Sequence, residues 1–90
     1  MIVVVIDNAS GKLRGELTGW LLETKPGVFV GKVSSVVREK LWEKVRNDCE
    51  TTGALVIYSS DTEQGFCIEM YGDPKRSVVD IDGVQLIKVL

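Results

Sequence analysis

The sequence predicts an α+β sandwich in which two helices cover one face of an antiparallel sheet, and three observations carry that prediction. A run of β-branched residues, Ile2-Val3-Val4-Val5-Ile6, ends on Asp7-Asn8 and passes through the small-residue turn Ala9-Ser10-Gly11 into a helical pattern. Such a run reads as a strand covered on both faces and leading directly into a helix. A second helical pattern recurs at Val33, Val37, Leu41, Trp42, Val45 and Cys49. Alternating stretches follow from Ala54 to Ser59 and from Phe66 to Tyr71, which read as a hairpin. The order strand, helix, strand, helix, strand, strand, strand, closed with right-handed crossovers, gives a ferredoxin-like fold with an extra C-terminal strand, in one domain spanning residues 1–90.

In chain order, the first helix is expected from about Ser10 to Glu23, with Leu13, Leu17, Trp20 and Leu21 on its buried stripe. Gly15 and Gly19 share a neighbouring face and are expected to let the helix approach the sheet closely. Lys25-Pro26-Gly27 is expected to end that helix. Val28-Phe29-Val30 is a short strand, with Gly31 marking a bend or bulge before Lys32-Val33. Ser34 or Ser35 caps the second helix, which is expected to reach about Glu50. Its other face carries Arg38, Glu39, Lys40, Glu43, Lys44 and Arg46, a mixture that reads as solvated surface. Ser60 to Gly65 is a polar connection, and Gly72-Asp73-Pro74 breaks the hairpin strand. Lys75-Arg76 then stands in a loop before Val78-Val79, the turn Asp80-Ile81-Asp82-Gly83 and a final strand from Val84 to Val89.

Composition narrows the chemistry. Ninety residues bury only about 60–65% of their unfolded surface, so burial through an oligomer is expected. The sheet face away from the helices carries valines that would otherwise meet water, which argues for a two-fold dimer, face against face. There is no apolar run long enough to span a bilayer and no signal pattern, so the expected compartment is cytoplasm, without a membrane partner. Net charge is −2, so any nucleic-acid role rests on a local patch doubled by symmetry. Histidine is absent, which removes Ser-His-Asp and Cys-His schemes and His-containing zinc sites together. Catalysis would have to use carboxylates with a hard metal, or Lys, Tyr and water. Cys49, late in a helix, and Cys67, in a strand, lie 18 positions apart and are expected to be reduced thiols.

The candidate site residues follow. Asp7 stands at a strand's carboxyl end, where open α/β sheets place their chemistry. Two Asp7 side chains meeting near a two-fold axis would need a shared proton or a divalent cation, which makes Asp7 a candidate magnesium ligand for phosphodiester cleavage. Its plain alternative is a turn residue that accepts backbone N–H bonds from the helix start. Asn8 either orders a metal-bound water or holds the loop. Lys12 and Arg14 at a helix start oppose the macrodipole and imply an outside anion, and the helix N-terminus itself attracts phosphate. Lys75-Arg76 forms a second basic pair, and each pair taken alone also reads as solvated surface. Asp82 before Gly83 reads as a turn into the last strand, and Glu63 as a polar hairpin residue.

The blocks Ile2 to Gly15, Trp20-Leu21-Leu22-Glu23, Gly27-Val28-Phe29-Val30-Gly31-Lys32-Val33-Ser34 and Val79-Asp80-Ile81-Asp82-Gly83 together resemble the CRISPR-associated protein two family, in its type I-E branch. The resemblance runs from Ile2 to the last residue. It implies the homodimer, and basic residues at the positions of Lys12, Arg14, Lys75 and Arg76 that hold the backbone of a double-stranded DNA protospacer. Lys stands at two of these positions where the family usually has Arg, which keeps charge but loses bidentate phosphate geometry. The resemblance also implies that Glu63, Asp82 and the C-terminal strand dock on the CRISPR-associated integrase, two dimers of which flank one dimer of this protein. The family carries a metal-dependent endonuclease label. The expected function is therefore a DNA-bridging scaffold of CRISPR spacer acquisition for which magnesium is not required. The alternatives are a magnesium-dependent endonuclease acting on RNA or double-stranded DNA through Asp7, and a ferredoxin-like regulatory or assembly domain without nucleic acid.

Overall fold

The structure is a computed structural model that describes residues 1–72 and 75–89. Its elements are β1 (Ile2–Asp7), α1 (Gly11–Thr18), β2 (Leu22–Lys25), β3 (Val28–Gly31), α2 (Ser35–Asn47), β4 (Gly53–Ser59), β5 (Phe66–Tyr71), β6 (Arg76–Ile81) and β7 (Val84–Val89). Five strands form one antiparallel sheet in the order β2-β3-β1-β4-β5, and β6 pairs with β7 in a second, two-stranded sheet. The first six elements run β-α-β-β-α-β with β1 between β3 and β4, which is the ferredoxin-like arrangement, and β5 extends it by one strand. No helix among the described residues is long and apolar enough to cross a membrane.

Strand alternation decides which side chains meet the helices. Ile2, Val4 and Ile6 of β1, Phe29 of β3 and Ala54 and Val56 of β4 point to one face. There they form a single core with Leu13 and Leu17 of α1 and with Leu41, Trp42 and Val45 of α2. Phe29, Leu17 and Val45 are fully buried, and each such side chain contributes roughly 1.5–3 kcal/mol by leaving water.

The opposite face has no helix over it. Direct cross-strand partners line up there as Leu22, Val30, Val3, Ile57 and Ile68, one from each strand, and beside them Val28, Val5, Leu55 and Met70. All are half-buried except Leu22, which is 69% exposed. Asp7 belongs to the same face, two residues beyond Val5.

The structure corrects several expectations. Helix α1 ends at Thr18 with Gly19 as its cap, not near Glu23, and residues 22–25 form the strand β2 instead. The 3.6-residue spacing of Leu13, Leu17 and Leu21 continues past Gly19, so periodicity alone carries the helix too far. Leu21 is buried as expected, but Trp20 lies outside the stripe and is 59% exposed. Lys25-Pro26-Gly27 is therefore the turn of a hairpin, with Gly27 at φ +81° and its amide donating to Glu23. Gly15 faces open space and does not bring α1 closer to the sheet. The close approach is made at Gly31, where a Cβ would stand 2.8 Å from Leu21 Cδ2, and the irregularity of register lies between Glu23 and Lys25. Helix α2 is capped by Ser34 but stops at Asn47, so Cys49 follows the helix and is exposed. Arg76 opens β6 and does not sit in a loop. The break expected at Gly72-Asp73-Pro74 falls partly on residues 73 and 74, outside the described residues.

Candidate functional site

Asp7 ends β1 opposite Gly53, and its carboxylate lies in the space that a Cβ at Gly53 would approach to 3.3 Å. Its carbonyl oxygen accepts from the amide of Thr52 at 3.1 Å. Asn8 adopts φ +62° and donates from its side-chain amide to Thr52 Oγ1 at 2.8 Å. The Asp7-Asn8 corner is thus fastened to the start of β4, and the amide of Asn8 is used in holding the loop. Among the described residues no three His, Cys, Asp or Glu side chains gather where they could hold a metal ion.

The N–H groups at the start of α1 are capped by Ser10, not by Asp7. Ser10 Oγ accepts from the amide of Leu13 at 3.1 Å and donates to Asp48 Oδ1 at 2.5 Å, while the Ser10 amide donates to Asp48 Oδ2 at 3.1 Å. Thr51 Oγ1 also donates to Asp48 Oδ2, at 2.7 Å. Hydrogen bonds from Ser10 and then Thr51 hold the Asp48 carboxyl below its ordinary pKa, against a smaller opposing effect of burial.

Lys12 and Arg14 stand exposed on the first turn that this cap organises, a turn without any acid of its own. Lys12 lines a groove of about 510 Å³ between the helices, together with Lys40 and Lys44 and with Glu16, Glu43 and Asp48. Within it Lys44 pairs with Glu16 at 3.0 Å, an exposed contact worth under about 1 kcal/mol.

The second basic pair lies elsewhere on the chain. Lys75 is exposed just before β6, and Arg76 lines a separate depression of about 460 Å³ with Trp42, Arg46 and Glu69. The two pairs therefore do not share one groove, and α2 stands beside both. Each pair also acquires cations that sequence reasoning assigned to solvent: Lys40 and Lys44 near Lys12, and Arg46 near Arg76. Their signal was spacing, since residues 40 and 44 fall on one flank of the helix and 38, 42 and 46 on the other. Arg38 lies 3.7 Å over the Tyr58 ring. Burial pushes the Tyr58 phenol up, Glu69 and Cys67 add to the shift, and Arg38 opposes it.

The acidic candidates sit on two turns that are fastened together. Glu63 is exposed in the connection before β5. Asp82 and Gly83, at φ +53° and +83°, turn β6 into β7 as a two-residue hairpin loop with both φ positive, and Asp80 accepts from the Gly83 amide at 2.9 Å. Gln64 and Gln85 join the two segments, because the side-chain amide of Gln64 meets the backbone N–H and C=O of Gln85. The side chain of Gln85 in turn meets the backbone N–H and C=O of Ile68 on β5. Cys49 and Cys67 are both free thiols.

These features define a small ferredoxin-like α+β domain with an open apolar sheet face, cations at one helix start and one strand start, and acids on two clasped turns. The chain matches the family model described as CRISPR-associated protein (Cas_Cas2CT1978) over residues 1–86. It belongs to that family of CRISPR-associated proteins, and its role is connected with CRISPR.

Proposed function

We propose that the protein is a non-catalytic subunit of CRISPR spacer acquisition, a homodimer that supports a DNA duplex and bridges two dimers of the CRISPR-associated integrase. The observation that carries this reading is the open sheet face, where rows of apolar side chains from all five strands end beside Asp7. A second copy of the same face covers those rows by two-fold symmetry and doubles every cation on the chain. Lys12, Arg14, Lys75 and Arg76 then serve as phosphate contacts, which set the position of a duplex without reading its sequence. Glu63 and Asp82 offer acids to a basic partner from the two clasped turns. The integrase performs the cutting and joining.

The donor set at Asp7 favours this reading over a magnesium-dependent endonuclease acting on RNA or double-stranded DNA through Asp7. A symmetric pair of copies supplies two carboxylates at the axis, whereas a two-metal phosphodiesterase uses several converging ones. The experiment is duplex binding by the dimer with Lys75→Glu and Arg76→Glu combined, followed by fluorescence anisotropy across a salt series. Affinity should fall for every sequence tested, and the salt slope should flatten by about 0.9 for each phosphate that is no longer neutralised. Unchanged affinity at low salt would remove the nucleic-acid role from this pair.

A further inference from the structure

We propose that Asp48 is a positioning residue for the basic first turn of α1: from the end of α2 it supplies the negative charge which that turn lacks, and so fixes Lys12 and Arg14 for phosphate. The inference rests on the nucleic-acid reading above and deepens it.

The place of Asp48 is unfavourable on its own helix. It caps the C-terminus of α2, where the macrodipole disfavours a carboxylate and where Lys44 and Arg46 occupy the last turn as the dipole prefers. Its placement is accounted for from the other helix. The carboxylate accepts both the amide and the hydroxyl of Ser10, and the same hydroxyl accepts the amide of Leu13 inside α1. Because the Ser10 proton is directed to Asp48, the lone pairs of Oγ are left for the helix, and a hydroxyl polarised by a carboxylate is a stronger acceptor. Thr51 fixes the carboxylate from a third side, just before β4.

An acid near its N-terminus stabilises a helix, and α1, like α2, has none in its first turn. Supplying that charge from α2 leaves positions 12 and 14 of the turn for cations. Asp48 also lines the groove that Lys12 lines, so its charge acts at the site as well as on the cap. These two effects have opposite signs on a bound phosphate. Neutralising an acid beside Lys12 would by charge alone tighten anion binding. A loss of binding is what positioning produces.

The test is a set of anisotropy titrations of a generic duplex at low salt with wild type, Asp48→Ala, Asp48→Asn and Ser10→Ala. Each is repeated in a Lys12→Ala/Arg14→Ala background, with amide hydrogen exchange followed at Leu13. Asp48→Ala should weaken binding by about three- to tenfold, the scale of one missing helix cap, and cause no further weakening in the background without both cations. Ser10→Ala, which removes a single hydroxyl and leaves the Asp48 charge in place, should move binding in the same direction. Equal weakening in both backgrounds, tighter binding, or unchanged binding by a folded dimer would overturn the proposal. Exchange at Leu13 separates this failure from failure of the nucleic-acid reading. If wild type binds no duplex, that reading falls, and unchanged Leu13 exchange in Asp48→Asn overturns the positioning role independently.

Discussion

Replacing Ile57 by Asp should turn the protein into a folded monomer. Ile57 stands within the row Leu22, Val30, Val3, Ile57 and Ile68 on the open face, and it is outside the core formed with the helices. A carboxylate in that row therefore meets water in a single copy, with a strand-propensity cost of about 1 kcal/mol. In a face-to-face pair it meets apolar side chains without a hydrogen-bond partner, at a cost of at least about 2 kcal/mol. The two-fold axis repeats the cost in the second copy. The sum of about 4 kcal/mol raises the dimer dissociation constant roughly a thousandfold. Sedimentation equilibrium reads that shift, and a thermal melt by circular dichroism verifies that the monomer is folded, with Ile57→Val as the conservative control. The salt slope of duplex binding should fall by about half at the same time, because each copy then carries its contacts alone. A folded Ile57→Asp protein that still dimerises with wild-type affinity would refute the assignment of this face.

Two further outcomes are expected. Asp7→Asn should leave spacer acquisition in cells close to wild type and, under the proposed face-to-face pairing, relieve carboxylate repulsion near the axis; loss of both acquisition and magnesium-dependent cleavage in a folded protein would favour the nuclease. The Asp48 carboxyl is held below its ordinary pKa by Ser10 and Thr51, so its contribution to stability is present above about pH 4 and is lost as pH falls through the lower folded value. Asp48→Asn should therefore melt below wild type at pH 7, and the gap should close under acid conditions, as thermal melts across that range will read.

The strands were legible where side chains alternate cleanly. Val56 and Tyr58 face the helices while Leu55 and Ile57 face away, as the sequence pattern of residues 54–59 requires, and Phe66 to Tyr71 pairs with it as expected. The strand β2 was not legible. Trp20-Leu21-Leu22 follows Leu17 at helical spacing, and only the tertiary demand for a neighbour to β3 makes Leu22–Lys25 a strand. The basic positions were legible as residue types but not as groups, since their companions Lys40, Lys44 and Arg46 lie among charges that resemble any solvated helix face. Asp48 was hidden for another reason. Its partner Ser10 lies 38 positions away, and hydrogen bonds between a serine and an acid at that separation leave no periodic trace.

A five-stranded sheet has two edges, and an edge with unpaired N–H and C=O groups recruits foreign strands. The β2 edge is defended by shortness and charge: it has four residues, a register irregularity, and both Glu23 and Lys25. The β5 edge is longer and its exposed positions include Phe66, so it invites unwanted growth more strongly. Gln85 answers that at a single point. Its carboxamide occupies both the donor and the acceptor of Ile68, taking with one side chain the pair of bonds that an incoming strand would need to gain register there. Because Gln64 holds the backbone of Gln85 in the same reciprocal way, that plug is anchored at both ends. Two glutamines thus close the β5 edge at Ile68, the point at which an added strand would otherwise find a donor and an acceptor side by side.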